Sequence, residues 1–256
     1  MEPLVSIITP MYNSEKYIGE TIESVLNQTY QNWEMVIVND CSSDRGPEIV
    51  KEYQKKDSRI KLYNNEKNKG GAETRNECIR RALGDYMAFL DSDDMWNEDK
   101  LKKQIAFMQK NDYAFTYSKY ERVDEEGNRM YLVSKIPAEL DYKDMLFRNP
   151  IGCLTAIYDA KKLGKIYLPP VKVGQDFALW LEVLKKSKYG YGLDETLARY
   201  RVRGNSLSKS KVKKLGCMYD IYRKYNNQNL IKTLFYLFQN VIDSYFNLKV
   251  ETVRNG

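Results

Sequence analysis

Four residues written DSDD at 91–94 follow the apolar run YMAFL, so three carboxylates gather where a buried strand would end. Hard divalent cations such as Mg²⁺ or Mn²⁺ take oxygen ligands and share them with substrate phosphates, and such a cluster suits that chemistry. On these four residues alone a solvated turn capping a helix is the simpler reading. Asp40, within NDCSSD at 39–44, ends a second apolar run. A carboxylate there accepts hydrogen bonds from a base or a ribose, or closes an Asx turn. Asn39, one residue earlier, points to the opposite side of the strand.

The 256 residues include no histidine. That excludes Ser-His-Asp and Cys-His nucleophile systems and every imidazole metal site. Proton transfer falls to a carboxylate or to Lys, Tyr or Cys. Asp176 opens the run DFALWL, where an isolated Asp is ordinarily a helix cap. Trp180 in the same run reads as a core aromatic, with stacking on a sugar as the alternative.

These residues need elements to hold them. Strands are expected at 4–9, 34–39, 60–63 and 86–90, and their cores VSIIT, MVIV and YMAFL are the continuous apolar runs of strands buried on both faces. Ile18, Ile22, Val25 and Leu26 recur at helical spacing after a possible cap at Ser14, and Gly70-Gly71 leads into a helix carrying Cys78, Ile79 and Ala82. The alternation predicts an α/β fold, a Rossmann-like, mostly parallel central sheet flanked by helices. In such sheets ligands bind outside the carboxyl ends of the strands, at PMYN, NDCSSD, NKGGAETRN and DSDD. Beyond these lie a helix over 98–109, a hairpin over 114–133 turning at 124–128, a helix over 174–184 and forty tyrosine-rich helical residues at the end.

With 43% hydrophobic and 30% charged residues the composition is that of a folded protein. Cys41, Cys78, Cys153 and Cys217 form no Cys-x-x-Cys pair, so the expectation is reduced thiols in the cytoplasm, without zinc or disulfides. The opening MEPLVSIITPMYN lacks the pattern of a signal peptide, and no run is apolar for long enough to span a bilayer. The net charge of +6 includes Lys209, Lys211, Lys213 and Lys214, which suit a solvated face, phosphates or anionic lipid. No stacking pattern or nucleic-acid module accompanies them, so no nucleic-acid partner is expected.

Taken in order, Pro10-Met11-Tyr12-Asn13, Gln28-Thr29-Tyr30, Val38-Asn39-Asp40-Cys41-Ser42-Ser43-Asp44, Asn68-Lys69-Gly70-Gly71 with Arg75-Asn76, and Asp91-Ser92-Asp93-Asp94 resemble the family 2 glycosyltransferases of the GT-A fold. The resemblance implies transfer of a sugar from a nucleoside diphosphate, commonly UDP, in bacterial cell-surface polysaccharide synthesis. Carried over by residue, it puts Pro10 and Tyr12 beside the uridine, Asp40 on the uracil and Arg75 near the nucleotide. Asp91 and Ser92 fall at the donor, Asp93 at a Mn²⁺ or Mg²⁺ joining the diphosphate oxygens, and Asp94 behind it or as an alternative ligand. Gly174-Gln175-Asp176 resembles the family's G-E-D segment, which makes Asp176 the base that deprotonates the acceptor; Gln175 stands where Glu is usual. Tyr200-Arg201-Val202-Arg203 resembles a Y-R-x-H element with Arg203 replacing His. Arginine has no lone pair for a cation, so Arg203 is expected to hold the diphosphate by its forked donors.

The expected organisation is a GT-A domain over 1–208, with a nucleotide-binding half at 1–97 and an acceptor-binding half at 98–208, and a helical extension over 209–256. The Q-x-x-R-W element of processive synthases is absent, which favours single additions to a glycan or lipid-linked glycan acceptor. A sugar-nucleotide-binding protein without catalysis is the alternative, raised by Asn39, Gln175 and Arg203. A dinucleotide enzyme is disfavoured because TPMYNSEK replaces G-x-G-x-x-G after the first strand. In the extension, Ile231, Leu234, Phe235, Phe238, Ile242, Tyr245 and Phe246 share one helical face. That face suits packing on the domain or on a second copy, or peripheral contact with the inner membrane surface.

Overall fold

The computed structural model describes residues 2–132, 135–203 and 211–246, with side chains at all of these except 211–214 and 241–246. The runs VSIIT and MVIV become β1 (Val5–Met11) and β2 (Trp33–Asn39), buried along almost their whole length. β3 (Ile60–Asn64) pairs with β2, and β4 (Tyr86–Phe89) with β1, all parallel. Ile7, Met35 and Ile37 face one core, and Ile8, Val36 and Val38 the other. The period of two in each strand thus divides one apolar run between two cores. α1 (Ile18–Leu26), α2 (Gly46–Lys56) and α3 (Gly71–Arg81) return the chain between strands, so the ends of β1, β2 and β4 share one edge. α2 was not expected; it is polar and buries only Gly46, Pro47 and Val50.

The sheet continues through the second half in the order β4, β9 (Ile157–Asp159), β6 (Phe115–Val123), β10 (Tyr189–Arg201) and β5 (Met95–Trp96). Here it is mixed: β9 runs antiparallel to both β4 and β6, and β10 runs parallel to β6. β5 follows DSDD directly, and α4 (Lys100–Asn111) comes only after it. The acidic run is therefore a strand-to-strand turn and not a helix start. The expected hairpin is β6 with β7 (Arg129–Leu132), closed at Gly127 with φ +88°; Val133 lies outside the described residues. β8 (Glu139–Asp141), α5 (Tyr142–Phe147) and α6 (Ala160–Leu163) complete this half, with α7 (Gln175–Ser187) packed across it. Trp180 on α7 is wholly buried, edge-on to Phe89 at 5.1 Å, so it belongs to the core and does not face a sugar.

After the site come α8 (Lys211–Asp220), one π-helical turn (Ile221–Tyr225) and α9 (Leu230–Phe246). α9 meets the domain through buried Thr233 and half-buried Tyr236 and Leu237. Packing of the predicted apolar face on the domain is not what the chain does: Ile231, Leu234, Phe235 and Phe238 face outward. The side chains of Ile242, Tyr245 and Phe246, and the residues from Gly204 to Ser206 and at Lys209, lie outside those described.

Candidate active site

Pro10 and Tyr12 leave the end of β1, Asp40 follows β2, Arg75 projects from α3, and Asp91, Ser92 and Asp93 follow β4. Asp176 stands on the first turn of α7 and Arg203 just past β10. All nine line one cleft of about 500 Å³ at the carboxyl edge of the parallel strands. Tyr12 is 54% exposed and presents its ring to that cleft. Residues from four βα or ββ junctions converge because parallel strands deliver their carboxyl ends to the same side.

Asp40 is buried and heavily used. Its Oδ1 accepts from Asn65 Nδ2 and Lys69 N, each at 2.8 Å, and its Oδ2 accepts from Gly70 N at 2.8 Å. These bonds pin the loop before α3, leaving Oδ2 with one lone pair for a further donor. Asn39 turns away, its Nδ2 donating to Asn64 Oδ1 at 2.9 Å and its Oδ1 accepting from Ser42 N at 3.0 Å. Ser92 is held against Ser14, Oγ to Oγ, at 2.7 Å.

Arg75 lies at the back of the cleft, buried, and is not a surface helix residue. Its Nη2 donates to Asp91 Oδ1 at 2.5 Å and its Nη1 to Gln175 Oε1 at 2.9 Å. Burial acts to lower the guanidinium pKa, but Asp91, with help from Asp176, outweighs it and keeps Arg75 charged. One side chain thus connects the turn after β4 to the start of α7. Gln175, noted in the sequence only as a departure, serves as a neutral acceptor for this buried cation. Gly174 enters α7 with φ +76°, a backbone that glycine adopts without strain, and Asp176 follows two residues later. Burial raises the Asp176 carboxyl above the ordinary range, Arg75 pulls it down, and Asp91 adds to the rise. A carboxylate so raised is a better proton acceptor at neutral pH than an exposed one.

Asp93 and Arg203 form an ion pair, Oδ2 to Nε, at 2.8 Å. Burial and the neighbouring Asp91 raise the Asp93 carboxyl, while Arg203 lowers it. Asp94 is buried deeper, its Oδ1 accepting from Arg201 N at 2.9 Å, so it ties the turn to β10. Arg201, quoted in the Y-R-x-H element but given no role there, is a buried hub: Nε donates to the Asp93 carbonyl at 3.0 Å, Nη1 to the Glu125 carbonyl at 2.5 Å, and Nη2 pairs with Glu20. Its signal was a charged residue inside the β-rich run TLARYR. Among the described residues no three acidic or thiol side chains form a complete metal cage. Asp93 offers carboxylate oxygen, the donor type a hard cation such as Mg²⁺ takes, but one of its oxygens already pairs with Arg203, as Asp91 pairs with Arg75.

Residues 6–165 match the model of glycosyl transferase family 2. The chain is 42% identical over 231 residues to TuaG of Bacillus subtilis, a glycosyltransferase named for teichuronic acid biosynthesis, covering 90% of this chain and 92% of that one. It is 38% identical over 242 residues to WfgD of Escherichia coli, a UDP-Glc:alpha-D-GlcNAc-diphosphoundecaprenol beta-1,3-glucosyltransferase, covering 93% and 92%. Among solved structures, TarS 1-349 of S. aureus in complex with UDP-GlcNAc superposes with a TM-score of 0.73 at 25% identity, over 95% of this chain and 73% of that one. The fold is therefore that of the GT-A enzymes, and with its cleft at the strand ends and bacterial cell-surface glycosyltransferases as relatives, the chain belongs to glycosyl transferase family 2.

Proposed function

We propose that the chain catalyses inverting transfer of a sugar from a UDP-sugar to a hydroxyl of a glycan or lipid-linked glycan, in the building of a bacterial cell-surface polysaccharide on the cytoplasmic side. The supporting observation is that Arg75 bridges Asp91, on the donor side of the cleft, to Gln175 beside Asp176. WfgD, named for transfer to alpha-D-GlcNAc-diphosphoundecaprenol, and TarS with UDP-GlcNAc support the choice of acceptor and donor classes.

In this reading the half at 1–97 holds the nucleotide and the half at 98–208 receives the acceptor. The uracil lies against Tyr12 and the backbone at Pro10, with its imide N–H on the remaining lone pair of Asp40. Asp91, with Ser92 beside it, meets the ribose. Asp176 takes the proton of the acceptor hydroxyl as that oxygen bonds to the anomeric carbon from the face opposite the diphosphate. The bond from that carbon to the diphosphate oxygen breaks, UDP leaves with the electron pair, and the configuration inverts. Arg203 turns its donors to the diphosphate, where negative charge accumulates. Asp93 would hold a divalent cation, which would supply further positive charge there. No covalent intermediate forms, so the protein contributes position, charge and one base.

The test is Asp176→Asn, read as UDP release in the presence of excess acceptor and as UDP affinity by calorimetry. Release should fall by about 10²-fold or more while affinity stays within a factor of two. Unchanged turnover would remove Asp176 from the mechanism. A wild-type chain that binds UDP-sugars but releases no UDP with any acceptor would replace the transferase by a binding protein.

A further inference from the structure

α9 is amphipathic the wrong way round for a helix that serves only its own core. The side it lays on the domain carries Thr233, wholly buried, Tyr236, Leu237 and Asn240. The side it gives to water carries Ile231, Leu234, Phe235 and Phe238, spaced as i, i+3, i+4 and i+7, with exposures of 80%, 54%, 47% and 63%. Leu230, also half exposed, and Phe147 of α5, edge-on to Phe235 at 5.8 Å, extend the patch onto the domain. Among the described residues nothing covers this apolar stripe, and an exposed patch of that kind marks a contact with a partner or a membrane.

The charges around the patch select between the two. Lys232 on α9 itself is exposed, as are Arg223 and Lys224 on the preceding turn, Lys224 being paired with Asp220 at 3.0 Å. In sequence the stretch from 209 to 232 holds Lys209, Lys211, Lys213 and Lys214 as well, against Asp220 alone. A second copy would set two cationic patches face to face, which like charges oppose. An anionic lipid surface accepts both the apolar stripe and the cations. At 17 residues α9 is about 25 Å long, a length that suits lying in the interface plane. Among the described residues no helix is long and apolar enough to cross a membrane.

We infer that the outward face of α9 docks on an anionic bilayer. The patch is coupled to the site by contiguous packing: Tyr236 stacks on Tyr222 at 5.5 Å, Tyr222 meets Phe177 edge-on at 5.6 Å, and Phe177 is the residue after Asp176. Met218 and Ile221 also close on Gly174, where an added Cβ would lie 3.5 and 3.2 Å from them. Docking therefore holds the acceptor side of the cleft next to the lipid surface. The inference extends the reading of a lipid-linked acceptor, but its test uses neither donor nor acceptor, so the two fail separately.

The experiment sediments the full chain with vesicles of phosphatidylglycerol and phosphatidylcholine, and with phosphatidylcholine alone, at low and high salt. The wild type should pellet with anionic vesicles, less so at high salt, and Ile231→Glu with Phe238→Glu should weaken this at least tenfold. Both positions face water, so the double variant should keep the wild-type melting temperature and UDP affinity. A wild-type chain that stays in the supernatant with anionic vesicles overturns the inference, as does binding that ignores the double variant. So does a solution dimer, seen by light scattering, that the double variant dissociates while vesicle binding is absent.

Discussion

Removing the Arg75 guanidinium should separate its two jobs, holding the cleft together and setting the Asp176 proton affinity. Arg75→Met keeps most of the side-chain length in a buried site and leaves Asp91 without its cation. Breaking a buried ion pair from one side costs about 3–5 kcal/mol. The Asp91 side chain is 32% exposed, and water recovers part of that loss, so about 2–3 kcal/mol is expected. For a chain of this size that corresponds to a fall in melting temperature of about 4–12 °C. Adding Asp91→Asn should return about 1–2 kcal/mol, because the unpaired charge disappears with its partner. The second effect concerns pH. Arg75 lowers a carboxyl that burial and Asp91 raise, so its loss raises Asp176 further. In the proposed mechanism Asp176 acts as base only when ionised, so the acid limb of kcat/KM should move to higher pH. Scanning calorimetry of the two variants and a pH profile of Arg75→Met measure both effects. A single variant that melts like the wild type, or a double variant less stable than the single, would refute the pairing argument. An acid limb that does not move would refute the coupling to Asp176.

Arg203→Ala should weaken UDP binding by about tenfold, the scale of one charge-assisted hydrogen bond to a partly exposed group. Added Mn²⁺ should not restore it, and wild-type affinity across a Mn²⁺ titration would count against any role at the diphosphate. Lys100 is wholly buried, its Nζ bonded to Gln104 Oε1 at 2.5 Å, and burial lowers its pKa to about 7. Above that value the unfolded chain carries a proton on Lys100 that the folded chain lacks, so this group's contribution to stability rises from about pH 7 to about pH 10.5. Lys100→Met should remove that rise, and urea midpoints of wild type and variant that change in parallel from pH 7 to pH 9 would contradict it.

How much of this was legible depends on the range of the interactions involved. β1, β2 and β4 were readable because a strand covered on both faces must be apolar throughout, a local property. β10 was not, because YGYGLDETLARYR is half exposed and glycine-rich. Its glycines make sense only in three dimensions: a Cβ at Gly192 would lie 2.2 Å from the Pro137 carbonyl oxygen. Asp91 and Asp93 were readable as candidates because they end an apolar run. Asp94, alike in type, proved to be a tie to β10, since its partner is Arg201, 107 residues away.

By itself, then, the sequence determined the parallel half of the sheet, the edge on which the polar loops gather and the chemistry open to a chain without histidine. Periodicity and residue type suffice for those, since each is settled within a few neighbouring positions. Only the tertiary structure decided which polar groups are already engaged. Arg75 and Gln175 meet across 100 residues, Asp40 is occupied with its own loop, and α9 turns its apolar stripe outward. Burial and partnership between distant residues arise only when elements pack, and no local pattern records on which side of a helix the rest of the chain will lie.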